Sequence, residues 1–135
     1  MNTGSLPGMI VSDSRSYKAN GAITKFAALC ISNSTTGDVA LPASANDEDC
    51  VGFARYAVVD NDTVEVVVAG SMEVVAAAAI TQGAWCVVAD TAGKVKTDPK
   101  TSTSTSHVVG RALTPASAPG DHIILEIIFF DRYNA

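Results

Sequence analysis

The chain has 135 residues, of which 47% are hydrophobic, 6% aromatic and 17% charged, with a formal net charge of −5. That length suits one domain able to bury roughly two-thirds of its unfolded surface, with a core of small and β-branched side chains. The acidic balance excludes a nucleic-acid-binding face, which needs a basic surface against phosphates, and the longest uncharged stretch, between Glu73 and Asp90, is too short and broken to span a bilayer.

The first twenty residues, MNTGSLPGMIVSDSRSYKAN, are rich in Gly, Ser and Asn around an apolar island at Met9 to Val11. They hold no sustained period, so residues 1–22 are expected to form an extended or mobile arm outside the packed core. Charge is uneven: residues 1–25 set Arg15, Lys18 and Lys25 against Asp13, while the rest of the chain carries the acidic excess. A mildly basic arm suits an acidic partner surface. The start lacks a basic segment followed by an apolar run, so no secretion signal is expected, and the chain reads as a soluble product of a cytoplasm.

From Ile23 onward the pattern is that of a single β domain, residues 23–135. TVEVVVAG at Thr63–Gly70 puts Val64, Val66 and Val68 on one face and Glu65 and Val67 on the other. Asp60-Asn61-Asp62 before it tolerates turn angles and predicts a hairpin or tight corner. Ala76–Ala79 fits a helical turn or an extended segment equally. TSTSTS at Thr101–Ser106 reads as a solvated loop. HIILEIIFF at His122–Phe130 is apolar on both faces except for Glu126, as expected of a strand central in a barrel or sandwich, or of one that meets another subunit.

The chain also repeats itself. Ile23–Val68 and Ile80–Ile128 run in one order: strand, Gly-centred turn, short strand, Pro-led loop (Pro42, Pro99), V-G-x-A, turn, long strand. Cys30 falls on Cys86, Gly37 on Gly93, Gly52 on Gly110 and Val64 on Ile123. Half-units of about 23–68 and 80–129 follow, each unable to cover its own apolar face and therefore closing on the other. Gly52 and Gly110 are expected to permit a bulge or a close backbone approach at the same corner of each half.

Chemistry is hard to find. His107 and His122 are the two imidazoles, and no nucleophile motif accompanies them, so both read as surface groups and no catalytic residue, enzyme activity or cofactor is assigned. Asp47-Glu48-Asp49 lacks calcium-loop spacing and reads as a solvated charge run. Cys30, Cys50 and Cys86 cannot all pair within one chain, form no CxxC and meet no His at zinc-ligand spacing; they are expected to be buried free thiols, and no metal site is assigned. Trp85 serves either as core filler or as an anchor at a subunit contact, where Trp is enriched. Phe130 and Tyr133 lean towards an interface.

The motifs I-x-x-G-x-x-V-like Ile80, Gly83 and Cys86, A-G-K-V at Gly93, Lys94 and Val95, V-V-G-R-A at Val109, Gly110 and Ala112, and G-D-x-I at Gly120, Asp121 and Ile123 stand in an order that resembles the capsid cement, or head-decoration, proteins of tailed bacteriophages. The resemblance is clearest over Val51–Phe129. It implies an all-β, barrel- or sandwich-like domain, commonly a homotrimer. Such a domain sits on the outer surface of the phage head, braces neighbouring major capsid protein subunits and is made in the host bacterial cytoplasm. It also implies an N-terminal arm that gains order against the shell. Leu6, Pro7, Met9, Ile10, Val11, Arg15, Tyr17 and Lys18 are the contact residues expected there, although no motif transfers onto them residue by residue. A phage fibre, tail or carbohydrate-binding β module is the alternative reading, and the scarcity of aromatic platforms counts against it.

Overall fold

β-Branched side chains fit a pleated surface better than a helix. A computed structural model, which describes residues 8–33, 35–100 and 105–133, accordingly holds nine strands and, among the described residues, no helix. The strands are β1 (Ile10–Lys18), β2 (Ala28–Asn33), β3 (Asp38–Ala40), β4 (Cys50–Ala54), β5 (Thr63–Val75), β6 (Trp85–Val88), β7 (Val95–Thr97), β8 (Thr105–Ala112) and β9 (His122–Tyr133). They form one curled antiparallel sheet, a half-barrel, in the order β3-β2-β4-β5-β9-β8-β6-β7, with β1 lying on β5 beside that path.

The order reads the same from both ends once β2–β5 are matched with β6–β9. Hydrogen bonds outside the ladders repeat the match. Ile23 N donates to Val58 O and Ile80 N to Ala116 O, both at 2.9 Å; Phe26 N donates to Ala54 O and Gly83 N to Ala112 O; Asn61 N donates to Ala19 O and Gly120 N to Ala76 O. The parallel bridges Ala19–Val39 and Ala76–Val95 correspond as well.

Two details differ from the sequence reading. Leu29 rather than Cys30 is the counterpart of Cys86, because Leu29 pairs with Gly52 as Cys86 pairs with Gly110, and each pair is followed at once by a register shift. The equivalence also begins earlier than Ile23. Tyr17 pairs with Val64 and Arg15 with Val66 in the way that Val74 pairs with Ile123 and Met72 with Leu125. β1 is therefore the counterpart of the second half of β5.

Within the segment read as an extended or mobile arm, residues 10–18 form a strand and are not loose. β1 runs antiparallel to β5 from Ile10 opposite Ser71 to Lys18 opposite Thr63. The sequence hides this because the pairing is made by backbone groups while Ser12, Asp13, Arg15, Ser16 and Lys18 face solvent, leaving no run of apolar alternation. The chain of β5 turns at Gly70, where φ is 107° and a Cβ would lie 2.1 Å from Ile10 O; β1 answers with register shifts at Asp13.

Two apolar clusters fill the curl. Ala19, Ile23, Leu29, Val39, Ala54, Val64 and Val66 form the smaller, in the first half. Their counterparts Ala76, Ile80, Cys86, Val95, Ala112, Ile123 and Leu125 all belong to the larger, which also receives Phe26, Ala28, Phe53 and Val67 from the other face of the first half. That borrowed face is how one half covers the other. Ala76–Ala79 forms no helix, and Thr105 and Ser106 belong to β8 rather than to a loop; Thr101–Ser104 lie outside the described residues.

Candidate interaction surface

β1 divides the expected arm residues between two environments. Met9 and Val11 pack against the larger cluster and Tyr17 against the smaller. Ile10 is 66% exposed, Arg15 and Lys18 point to solvent, and Arg15 Nε lies 3.8 Å from Asp13 Oδ2. Leu6 and Pro7 lie outside the described residues. The start of the strand is fixed by Ser71, whose Oγ donates to Gly8 O at 2.6 Å and accepts from Ile10 N at 3.1 Å. One edge of β1 is occupied by β5; among the described residues no named strand pairs with its other edge.

A second open edge lies at the end of β9. That strand pairs with β5 only through Glu126 and with β8 through Tyr133, so residues 127–133 have a neighbour on one side alone among the described residues. The outward positions alternate Phe129, 39% exposed, with the charged Asp131 and with Tyr133, 78% exposed. Where β1, β5 and β9 diverge, Ile10, Ser12, Gly70, Leu113, Ile127 and Ile128 line an open cleft of about 480 Å³. Trp85 meets Phe130 edge to face, with ring centroids 5.1 Å apart, and the Arg111 guanidinium lies 5.6 Å from the Trp85 ring. Both rings are half-buried, so the pair fills a gap within the chain and still presents a face. Tyr133 stands apart at the strand end.

Both imidazoles are engaged in holding strands together. His122 Nδ1 lies 2.6 Å from Glu73 Oε2 across β5 and β9, and His107 Nδ1 lies 2.7 Å from Asp131 Oδ1 across β8 and β9. Each imidazole thus spans two strands. His107 shares a cleft of about 260 Å³ with Asp47, Glu48, Cys50 and Asp131, yet the Cys50 thiol is turned onto Gly52 O at 3.8 Å. Among the described residues no group of three His, Cys, Asp or Glu is placed to hold a metal ion. All three cysteines are free; burial pushes the Cys86 thiol up to about 12, and the adjoining Cys50 thiol together with burial raises Cys30 as well.

Polar residues to which sequence reasoning gave no structural role order the loops. Asp121, buried, accepts from Ser117 N, Ser117 Oγ and Ala118 N, which holds its carboxyl below the ordinary range. Asp98, also buried, accepts from Ser106 Oγ at 2.6 Å and from Lys100 N, and Arg132 Nη1 lies 3.3 Å from its Oδ2. Asn46 has a φ of 55° and spans the two halves: its N donates to Val88 O, its Nδ2 to Thr105 O, and its Oδ1 accepts from His107 N, each at 2.8 Å. The acidic run beside it is not all solvated, since the Asp47 carboxylate accepts from Ala43 N and Asp49 N. An Asn in turn-prone surroundings was the one legible signal at position 46.

A family model described as phage cement protein matches residues 13–127. No curated protein matches. Among solved structures, the head fibre gp8.5 N base of bacteriophage phi29 is similar at 20% identity, with a TM-score of 0.59, covering 86% of this chain and 93% of that one. At that identity the likeness is one of fold.

Proposed function

Because the chain belongs to the phage cement protein family, a family of structural virion proteins, we propose that it docks on the outer surface of a tailed-phage head and braces neighbouring major capsid subunits there. The observation that carries this reading is the open edge of β1, a strand already in place, with Ile10, Arg15 and Lys18 facing outward. An edge strand offers unpaired N–H and C=O groups to a partner strand, giving affinity from backbone pairing, while its side chains give register. The cationic pair on an otherwise acidic body steers the approach. Many symmetric copies then turn modest single contacts into high avidity. A homotrimer, closed through the open end of β9 with Trp85, Phe130 and Tyr133 near the contact, completes the arrangement. Synthesis takes place in the host cytoplasm.

The test uses heads stripped of this protein. A triple variant, Ile10→Asp, Arg15→Glu and Lys18→Glu, should keep its circular dichroism and melting temperature and lose at least tenfold in affinity for the heads, about 1.4 kcal/mol. Full occupancy by that variant at wild-type concentrations overturns the β1 edge as the contact. The likeness to a head-fibre base supports one second reading, in which the domain anchors a fibre. A glycan-binding screen with clear hits favours that reading, since a fibre meets host surfaces.

A further inference from the structure

The two halves differ in one telling pair. At the register position after the bulge, β6 and β8 oppose Val87 to Val108. The counterpart in the first half, on β2 and β4, opposes Cys30 to Cys50. Packing at this position is satisfied by two valines in one copy, so it does not require thiols in the other. Both members are cysteine together, and both are free.

Opposed residues in an antiparallel ladder have Cα atoms about 4.5–5.5 Å apart, inside the window of about 4.4–6.8 Å that a disulfide needs. Their side chains share a face. Cys30 follows Ala28 in the alternation of β2, and Cys50 packs against the larger cluster to which Ala28 belongs. Access differs between the two: Cys30 is buried, whereas Cys50 is half-buried and lines the cleft that also holds Asp47 and His107. One thiol can be reached by a small molecule and the other can be reached only by its neighbour.

We propose that Cys30 and Cys50 form a latent disulfide site, closed by a small-molecule disulfide such as oxidised glutathione into a bond that staples β2 to β4. In the first step the Cys50 thiolate attacks one sulfur of the oxidant; that S–S bond breaks and one glutathione leaves. In the second, the Cys30 thiolate attacks the Cys50 sulfur of the mixed disulfide and displaces the second glutathione. The two thiol protons end on the two glutathiones, so the protein pair is oxidised and the oxidant reduced by the same two electrons. The Cys50 thiol is the largest cause holding Cys30 protonated, ahead of burial, and capping Cys50 removes it. Cys86, deeply buried and without a cysteine partner, serves as an internal control.

The experiment treats the full-length reduced protein with oxidised glutathione at several pH values, followed by intact mass, peptide mapping after thiol blocking, and thermal unfolding. The expected product is lighter by two hydrogens, carries a Cys30–Cys50 linked peptide, and forms faster as pH rises. Closing a loop of about twenty residues should raise the melting temperature by roughly 10 °C. The double variant Cys30→Val/Cys50→Val, which copies the other half, should show no mass change and no gain. A glutathione adduct that stays on Cys50 with Cys30 still alkylatable at alkaline pH overturns the proposal, as does a link to Cys86 or to a second chain, or an unchanged mass. If the double variant does not fold, mass and mapping on the natural chain decide alone.

Discussion

Gly52 and Gly110 occupy matching corners, and the reason they must be glycine is steric rather than conformational. A Cβ on Gly52 would lie 2.4 Å from Val67 O, and one on Gly110 2.3 Å from Glu126 O, each under the neighbouring long strand. Gly52→Ala and Gly110→Ala should each destabilise the fold by about 2–3 kcal/mol, since the strand beneath must shift. Chemical denaturation measures this, and equal costs at the two sites are expected; a large loss at one site alone would show that the bulges are not equivalent. The V-G-x-A phrase was readable in the sequence as a repeated corner because a glycine between apolar neighbours leaves a plain mark. Asp98, Asp121 and Asn46 were not. Asn46 bonds backbone groups of Thr105 and His107 across the fold while Asp98 and Asp121 order nearby turns, and a side chain in either role looks like any other surface Asp or Asn.

At the scale of the element, β1 changes what truncation means. Its removal would uncover the N-terminal half of β5, whose Val64, Val66 and Val67 are fully buried, and leave a bare strand edge. A chain lacking residues 1–18 should therefore lose roughly 10 °C in melting temperature and self-associate as its concentration rises. Thermal unfolding and sedimentation check both, and a truncated chain as stable and monodisperse as the parent would refute the structural role. β5 and β9 were legible because each writes a long Val/Ile run. β1 was not, because only Val11, Ser14 and Tyr17 along it turn inward, and one edge of backbone bonds supplies the rest. The repeat was traced from Ile23 for the same reason: Ser14-Arg15-Ser16-Tyr17-Lys18 and Ser71-Met72-Glu73-Val74-Val75 take the same place in the sheet, but Arg15 and Ser16 face solvent where Met72 and Glu73 are buried.

For the whole molecule, the halves are joined by the β5–β9 ladder, by the shared apolar cluster, and by Asn46. Losing the Asn46 side chain leaves Thr105 O and His107 N without their partner, so Asn46→Ala should cost about 2 kcal/mol. It should also raise amide exchange in β8 more than in β2. Uniform exchange throughout would mean that the cluster alone couples the halves. All-β architecture and duplication were open to sequence reasoning, since both rest on pattern and composition. The way the halves engage was not, since it depends on one face of the first half being lent to the second.

The matched halves have unmatched ends. The tail of β5 lies beside β9, the long strand of the following unit, and β1 fills the same berth beside β5. The tail of β9 has no such successor among the described residues. The berth beside the first long strand is thus filled from within the chain, while that beside the second is left bare among the described residues.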